Sequence, residues 1–222
     1  MSNYISWDQT KIEDFSEDNI TSFYANGYVF GRINKGNMNK TRSIRVNLSD
    51  FELNSENRRV LRKIEGLEMS TLQLPMSENT YDWHIHKLAK DFYDNKFGKG
   101  IFTASKVKQL ITDAENSNFN YLFKYEFQGA LVGYCIAYSN TNITHYTYPF
   151  YDFTKFENNF GMGMMLNAIL WAQGKSNQYI YLGSAKDYKD KYKLQFNNLE
   201  WFDGEQWQTD LDELKSLLTP LN

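Results

Sequence analysis

Two glycines, Gly161 and Gly163, stand where a β-branched and aromatic run (Ile143–Phe153) gives way, through the polar segment Thr154–Phe160, to an apolar run from Met164 to Ala172. A second strand-like segment, Tyr179–Leu182, follows. Strand, glycine turn, buried helix and strand in that order let the backbone approach a ligand closely. They also aim the unpaired N–H groups of the helix's first turn at phosphate or another anion. The remaining reactive side chains are scattered. His84 and His86 lie two apart on a helical pattern and share no face, so they form no metal pair. Cys135 is the single cysteine, which excludes an internal disulfide and a multi-cysteine metal site. A Cys135–His145 nucleophile would require the two to meet across a hairpin, and no third member of a triad presents itself. Lys186, Lys189, Lys191 and Lys193 could meet phosphates, but Asp187 and Asp190 interleave with them as on a solvated face.

The net charge of −3 hides an asymmetry. Between Arg32 and Lys63 nine Lys and Arg face three Asp and Glu, and the rest of the chain is acidic. Such a segment is either a polyanion contact or a solvated basic face, and its arginines suit bidentate recognition of phosphate or carboxylate. With 16 Tyr and 16 Phe in 222 residues, the chain has enough apolar surface to fold around a core. No apolar run reaches the roughly 18 residues of a membrane span, and no signal peptide is read at the start, so a cytoplasmic location is expected.

The elements that must position these groups follow from periodicity and punctuation. A short strand is expected at Tyr4–Trp7, a helix from Ser16 to Gly27, a strand at Tyr28–Ile33 and a loop over Asn34–Lys40. Ser43–Leu48 alternates like a half-buried strand, with Arg45 pointing away from the core. Asn54 or Ser55 caps a helix through Ile64, with Arg58, Arg59, Arg62 and Lys63 around its outer faces. Then come a strand (Leu67–Leu74), two helices (Tyr81–Phe97 and Ser105–Ala114), and a hairpin of Asn120–Phe127 and Ala130–Ser139 that turns into the strand ahead of the glycines. A lysine-rich segment, a strand at Leu199–Asp203 and a helix near Asp210–Leu218 close the chain. No repeat or linker is evident. A single domain over 1–222 is predicted, with the basic region 1–66 as a semi-separate part.

This order resembles the GNAT-type N-acyltransferase fold, a mixed-sheet α/β architecture in which the last meander strand and the glycine turn hold an activated acyl donor. The usual Q/R-x-x-G-x-G/A motif reads Asn158-Asn159-Phe160-Gly161-Met162-Gly163 here, so its first position departs. From about Phe15 to Trp207 the chain also resembles the aminoacyl-tRNA–protein transferases. The likeness rests on Gly27-Tyr28-Val29-Phe30, Arg45–Phe51 and Asn54–Arg59. It continues in register through Tyr148, Phe150, Tyr151, Asp152, Gly161, Tyr181-Leu182-Gly183, Lys189, Tyr192-Lys193, Phe196, Leu199-Glu200 and Trp207. That family usually carries a metal-binding cysteine cluster, whereas the equivalent loop Asn34–Lys40 has none, so no metal and no resident cofactor are expected.

The resemblance implies transfer of an amino acid from charged tRNA to the free N-terminus of a protein or peptide, or to another amine. An acyl-CoA-dependent N-acyltransferase using acetyl-CoA is the alternative. Amine attack on an ester needs two positioned substrates, a stabilised oxyanion and a proton acceptor. Asp152 is the candidate for holding or deprotonating the amine, and Tyr148 for donating to the leaving 3′ oxygen. Gly161, Gly163, Lys189 and Lys193 are candidates for holding the donor, and Arg45, Arg58 and Arg59 for an acidic acceptor side chain. Pro149 lacks the N–H that a central strand donates, which predicts a bulge or a splayed edge there. A splay would leave the N–H of Phe150 or Tyr151 for the developing oxyanion.

Overall fold

The computed structural model describes residues 5–156 and 159–218. The first part of the chain forms β1 (Asp8–Lys11), α1 (Glu17–Ala25), β2 (Tyr28–Phe30), β3 (Asn37–Lys40), β4 (Ser43–Asn47), α2 (Ser55–Lys63) and β5 (Leu67–Gln73). It continues through α3 (Trp83–Phe97), α4 (Ala104–Thr112), β6 (Tyr121–Phe127), β7 (Ala130–Ser139) and β8 (Ile143–Tyr151). Then follow α5 (Phe160–Gly174), β9 (Tyr179–Ser184), a 3-10 segment (Tyr188–Leu194), β10 (Leu199–Phe202), β11 (Trp207–Gln208) and α6 (Leu211–Leu217).

Local chemistry sets the helix ends. Asn54 accepts from the Asn57 N–H while the Asn57 side chain returns to the Asn54 N–H, a reciprocal cap that starts α2. Asp82 and Thr103 cap α3 and α4 in the same way from one side. Gly98, at φ +105°, takes the chain out of α3 where a side chain would be strained.

The eight-stranded sheet runs β11-β10-β4-β9-β8-β7-β6-β5, and β1-β3-β2 make a smaller sheet. β8 and β9 pair in parallel, joined through α5, while the neighbouring pairs are antiparallel. The mixed α/β architecture expected from the sequence is therefore found. Both faces of the large sheet are covered. Buried residues of α2, α5 and α6 (Val60, Met164, Ile169, Leu214) fill one core. Those of α1, α3, α4 and the small sheet (Tyr24, Ala89, Val107, Val29, Met38) fill the other. This two-sided cover explains why β7 reads as nearly continuous apolar residues from Val132 onward. No helix of the described residues is long and apolar enough to cross a membrane.

Several expectations are corrected. The first strand is Asp8–Lys11 rather than Tyr4–Trp7, of which Tyr4 lies outside the described residues. The expected loop Asn34–Lys40 contains β3, which pairs with both β1 and β2, so its polar residues satisfy a ladder instead of solvent. β11 was not expected at all. The basic region 1–66 divides: β1 to β3 build the small sheet, whereas β4 lies inside the large one between β10 and β9. For the same reason Arg45 does not point away from a core. It is buried at 7 % exposure, because β4 is an interior strand of a sheet covered on both faces.

Candidate active site where two strands part

β8 and β9 pair only at Ile143–Tyr179, Thr144–Ile180 and His145–Tyr181. Beyond His145, β8 keeps its partner β7 but leaves β9, and the ladder to β7 shifts register between Tyr148 and Tyr146, which marks Thr147 as a bulge. Of the bulge or splayed edge expected around Pro149, the structure has a bulge at Thr147 and a parting of β8 from β9 beyond His145. Asp152 donates its N–H to the Val132 carbonyl. Along the same register, with Tyr134 opposite Phe150, the bonded positions fall at Asp152 and Phe150. The alternate positions, Pro149 and Tyr151, turn their amide side toward the split. Pro149 thus costs the β7 ladder no bond, and of the two amides considered Tyr151 faces the gap while Phe150 belongs to β7.

The start of α5 adjoins this gap. Gly161 and Gly163 are not in a loop but in the first turns of the helix, and their roles separate. The space beside Gly161 meets the Tyr151 ring. A Cβ on Gly163 would overlap the Ile64 Cδ1, so Gly163 serves close packing of α5 on the end of α2. Asn159 precedes the helix at φ +88° and makes no side-chain cap, so the first-turn amides keep their capacity for an acceptor. Asn158, the departing motif position, lies outside the described residues.

Asp152 sits at the mouth of the split. Its carboxylate accepts from the Thr154 N–H (3.1 Å) and hydroxyl (2.5 Å) and pairs with Lys155 at 3.1 Å. Burial alone would raise its pKa, but these donors outweigh it and hold the group below the usual carboxylate range. Asp152 is therefore ionised at neutral pH, suited to holding an ammonium and weak as a base. Tyr148 is half-buried toward α4, its ring against Phe102 and Phe119 at 5.2 and 5.5 Å between centroids.

Lys193 donates to the Ser184 carbonyl (2.9 Å) and pairs with Asp190 (2.8 Å), so its charge is already matched, whereas Lys189 is exposed. Arg45 is fully engaged. It pairs with Glu200, donates to the Tyr181 hydroxyl at 3.3 Å, and lies between the Tyr179 and Trp207 rings at 3.7 and 3.8 Å. The fork expected to meet an acceptor carboxylate is engaged with Glu200 in the free chain. Arg59 pairs with Glu56, and Arg58 donates to the Leu53 carbonyl while remaining exposed. Cys135 opposes Pro149 and His145 opposes Tyr138, so no thiol–imidazole pair forms.

No family model matches the chain. Over 170 residues it is 28% identical to the aspartate/glutamate leucyltransferase of Saccharophagus degradans, covering 75% of this chain and 70% of that one. It is 25% identical to the protein of the same name from Xylella fastidiosa strain 9a5c, covering 91% and 85%. The sequence is thus similar to these leucyltransferases over most of its length. Among solved structures, an aminoglycoside acetyltransferase from an uncultured soil metagenomic sample overlaps 60% of this chain and 85% of its own at 15% identity and a TM-score of 0.39.

Among the described residues, Arg42 Nε, Ser43 Oγ and His145 Nε2, near these strands, and Asn167 Nδ2, on α5, are buried polar atoms without a partner, whereas the buried Tyr146 hydroxyl adjoins Tyr125 and Cys135. His145 belongs to the last rung between β8 and β9, Tyr146 follows it, and Ser43 pairs with Ser184 beyond the point of parting. Sequence reasoning gave Arg42, Ser43 and Tyr146 no role. Only the surplus of positive charge hinted at Arg42. Burial holds His145 near a pKa of about 3, so it is neutral. The Tyr24 hydroxyl accepts from the Phe30 N–H and is hydrogen-bonded to His145 Nδ1 at 2.8 Å.

Proposed function

We propose that this protein transfers an aminoacyl group from charged tRNA to the free N-terminal amine of a protein or peptide. Leucine as the amino acid and an acidic acceptor terminus are the choices carried by its relatives' names. The observation that carries the reading is the split between β8 and β9, with the Tyr151 amide on one side, the uncapped start of α5 beside it, and the basic last turn of α2 adjoining through the Ile64–Gly163 contact. In this reading the ester carbonyl of the donor lies in the split. Attack by the amine builds negative charge on the carbonyl oxygen, which the Tyr151 N–H meets, a contribution of about 3 kcal/mol when one such donor is lost.

Asp152 holds the incoming amine as its ammonium. With an α-amino pKa of about 7.7–8.0, a useful fraction is free to react near neutrality without a strong base. Expulsion of the 3′ oxygen of the tRNA then completes the transfer: Tyr148 is the candidate donor of the proton that oxygen takes up, the proton given up by the attacking nitrogen passes to water, and the phenol is reprotonated from water. Arg62 and Lys63, exposed on the last turn of α2, are placed to meet donor phosphates. Measuring transfer with Asp152→Asn tests the assignment: kcat/KM for the acceptor should fall at least tenfold while tRNA binding is kept. Unchanged acceptor kinetics would remove Asp152 from the reaction.

A further inference from the structure

The arginines of the described chain differ in one respect. Arg45 and Arg59 have carboxylates, Arg58 a carbonyl, and Arg32 the face of Phe102. Arg62 is exposed to water. Arg42 is half-buried, its Nε is inaccessible and unpaired, and its guanidinium makes no hydrogen bond, ion pair or ring contact among the described residues. Burial lowers its pKa, and no carboxylate opposes that effect. A partly desolvated guanidinium with a buried, unpaired Nε and no partner in the described chain is a candidate for a counter-ion from outside it.

The surroundings place Arg42 beside the far end of β9, the strand that parts from β8. The Arg42 carbonyl accepts from the Ala185 N–H, just past the end of β9. Ser43, whose hydroxyl is also buried and unpaired, stands opposite Ser184, the residue whose carbonyl holds Lys193. The Ser43 N–H bonds the Thr41 carbonyl at 2.6 Å, a tight turn that sets Arg42 apart from the regular alternation of β4. A guanidinium and a hydroxyl adjacent in sequence, unmatched beside the strand that leaves β8, suit a small planar anion.

We infer that Arg42, assisted by Ser43, binds the side-chain carboxylate of the acceptor's N-terminal Asp or Glu and so selects acidic acceptors. This rests on the proposed transfer reaction. A carboxylate fits better than a donor phosphate, because Arg58, Arg62 and Lys63 already offer solvated cations on α2, whereas Arg42 is recessed and takes a short side chain.

The test uses the full chain with Arg42→Met, Arg42→Lys and Ser43→Ala. For Arg42→Met, kcat/KM should fall about 10- to 100-fold for peptides beginning with Asp or Glu and hardly at all for those beginning with Asn or Gln. Arg42→Lys should recover only part of the loss, and KM for charged tRNA should stay unchanged. Independently of transfer, a Glu-initiated peptide should raise the Tm of the wild type and not of Arg42→Met, and Arg42→Met alone should melt no lower than wild type. Equal losses across acceptors, a raised tRNA KM, or a lowered Tm of the free variant would each overturn the assignment. Should no peptide be acylated at all while Tm protection by the Glu-initiated peptide still depends on Arg42, the transfer reading fails and the carboxylate site stands.

Discussion

Arg45 and Glu200 are Cα partners across the β4–β10 ladder, and their side chains close on each other with Nε and a terminal nitrogen at 2.7 and 2.6 Å from the same carboxylate oxygen. Two aromatic rings sandwich the guanidinium, so the pair is a buried device that ties the N-terminal part of the chain to its C-terminal strands. Arg45→Lys keeps the charge but loses the fork and the stacking, and is expected to cost about 2 kcal/mol in denaturant unfolding. The loss in activity should be the same for every acceptor. A selective loss for acidic acceptors would return Arg45 to the substrate.

Lys189 and Lys193 separate by the same logic. Lys193 is paired with Asp190 in a partly buried setting, so Lys193→Met strands a carboxylate and should destabilise by roughly 2 kcal/mol. Lys189→Ala should leave stability alone. If Lys189 meets a phosphate of the donor, that variant reduces the slope of log binding against log salt by about 0.7–0.9. Salt titrations of the two variants, alongside their unfolding curves, check both statements.

His145 supplies a pH signature. Its folded pKa of about 3 lies below the unfolded value near 6.5, so the unfolded chain binds more protons between the two. The stability associated with the neutral ring is complete above about pH 6.5 and is lost as pH falls toward 3, by about 1.4 kcal/mol per pH unit within that window. Replacing His145 by Gln should flatten the difference in unfolding free energy between pH 6 and pH 4 relative to wild type. Parallel profiles for the two proteins would show that His145 is not held neutral.

Gly163→Ala should destabilise by about 1–3 kcal/mol, because the added methyl group overlaps Ile64. Ile64→Val removes the opposing Cδ1 and should restore most of the loss in the double variant. Activity recovered together with stability would identify Gly163 as a packing residue. Activity that stays low in the double variant would mean that the bare backbone is needed by the donor.

How much was legible in the sequence depends on which forces are local. The cap at Asn54, the stop at Gly98 and the hairpin of β6 and β7 were readable, since each is set by a few consecutive residues. Pro149 announced the parting of β8 from β9 because a missing N–H has few places to go in a sheet. β3 was hidden because Asn and Lys dominate it, and its strand character comes from two partners, one on each side. Arg45 was misplaced because alternation gives the period of a strand and not whether both faces are covered. Arg42 shows in the sequence only as part of the surplus of positive charge, since its distinction is the lack of a partner in three dimensions.

The central claim is tested most directly by mass spectrometry of an Asp- or Glu-initiated peptide incubated with the protein and either leucyl-tRNA or acetyl-CoA. The account predicts a peptide carrying one added leucyl group on its N-terminal amine, formed only with the charged tRNA and abolished when the N-terminus is blocked. Acetylation of the peptide from acetyl-CoA, with no leucyl product, would contradict it.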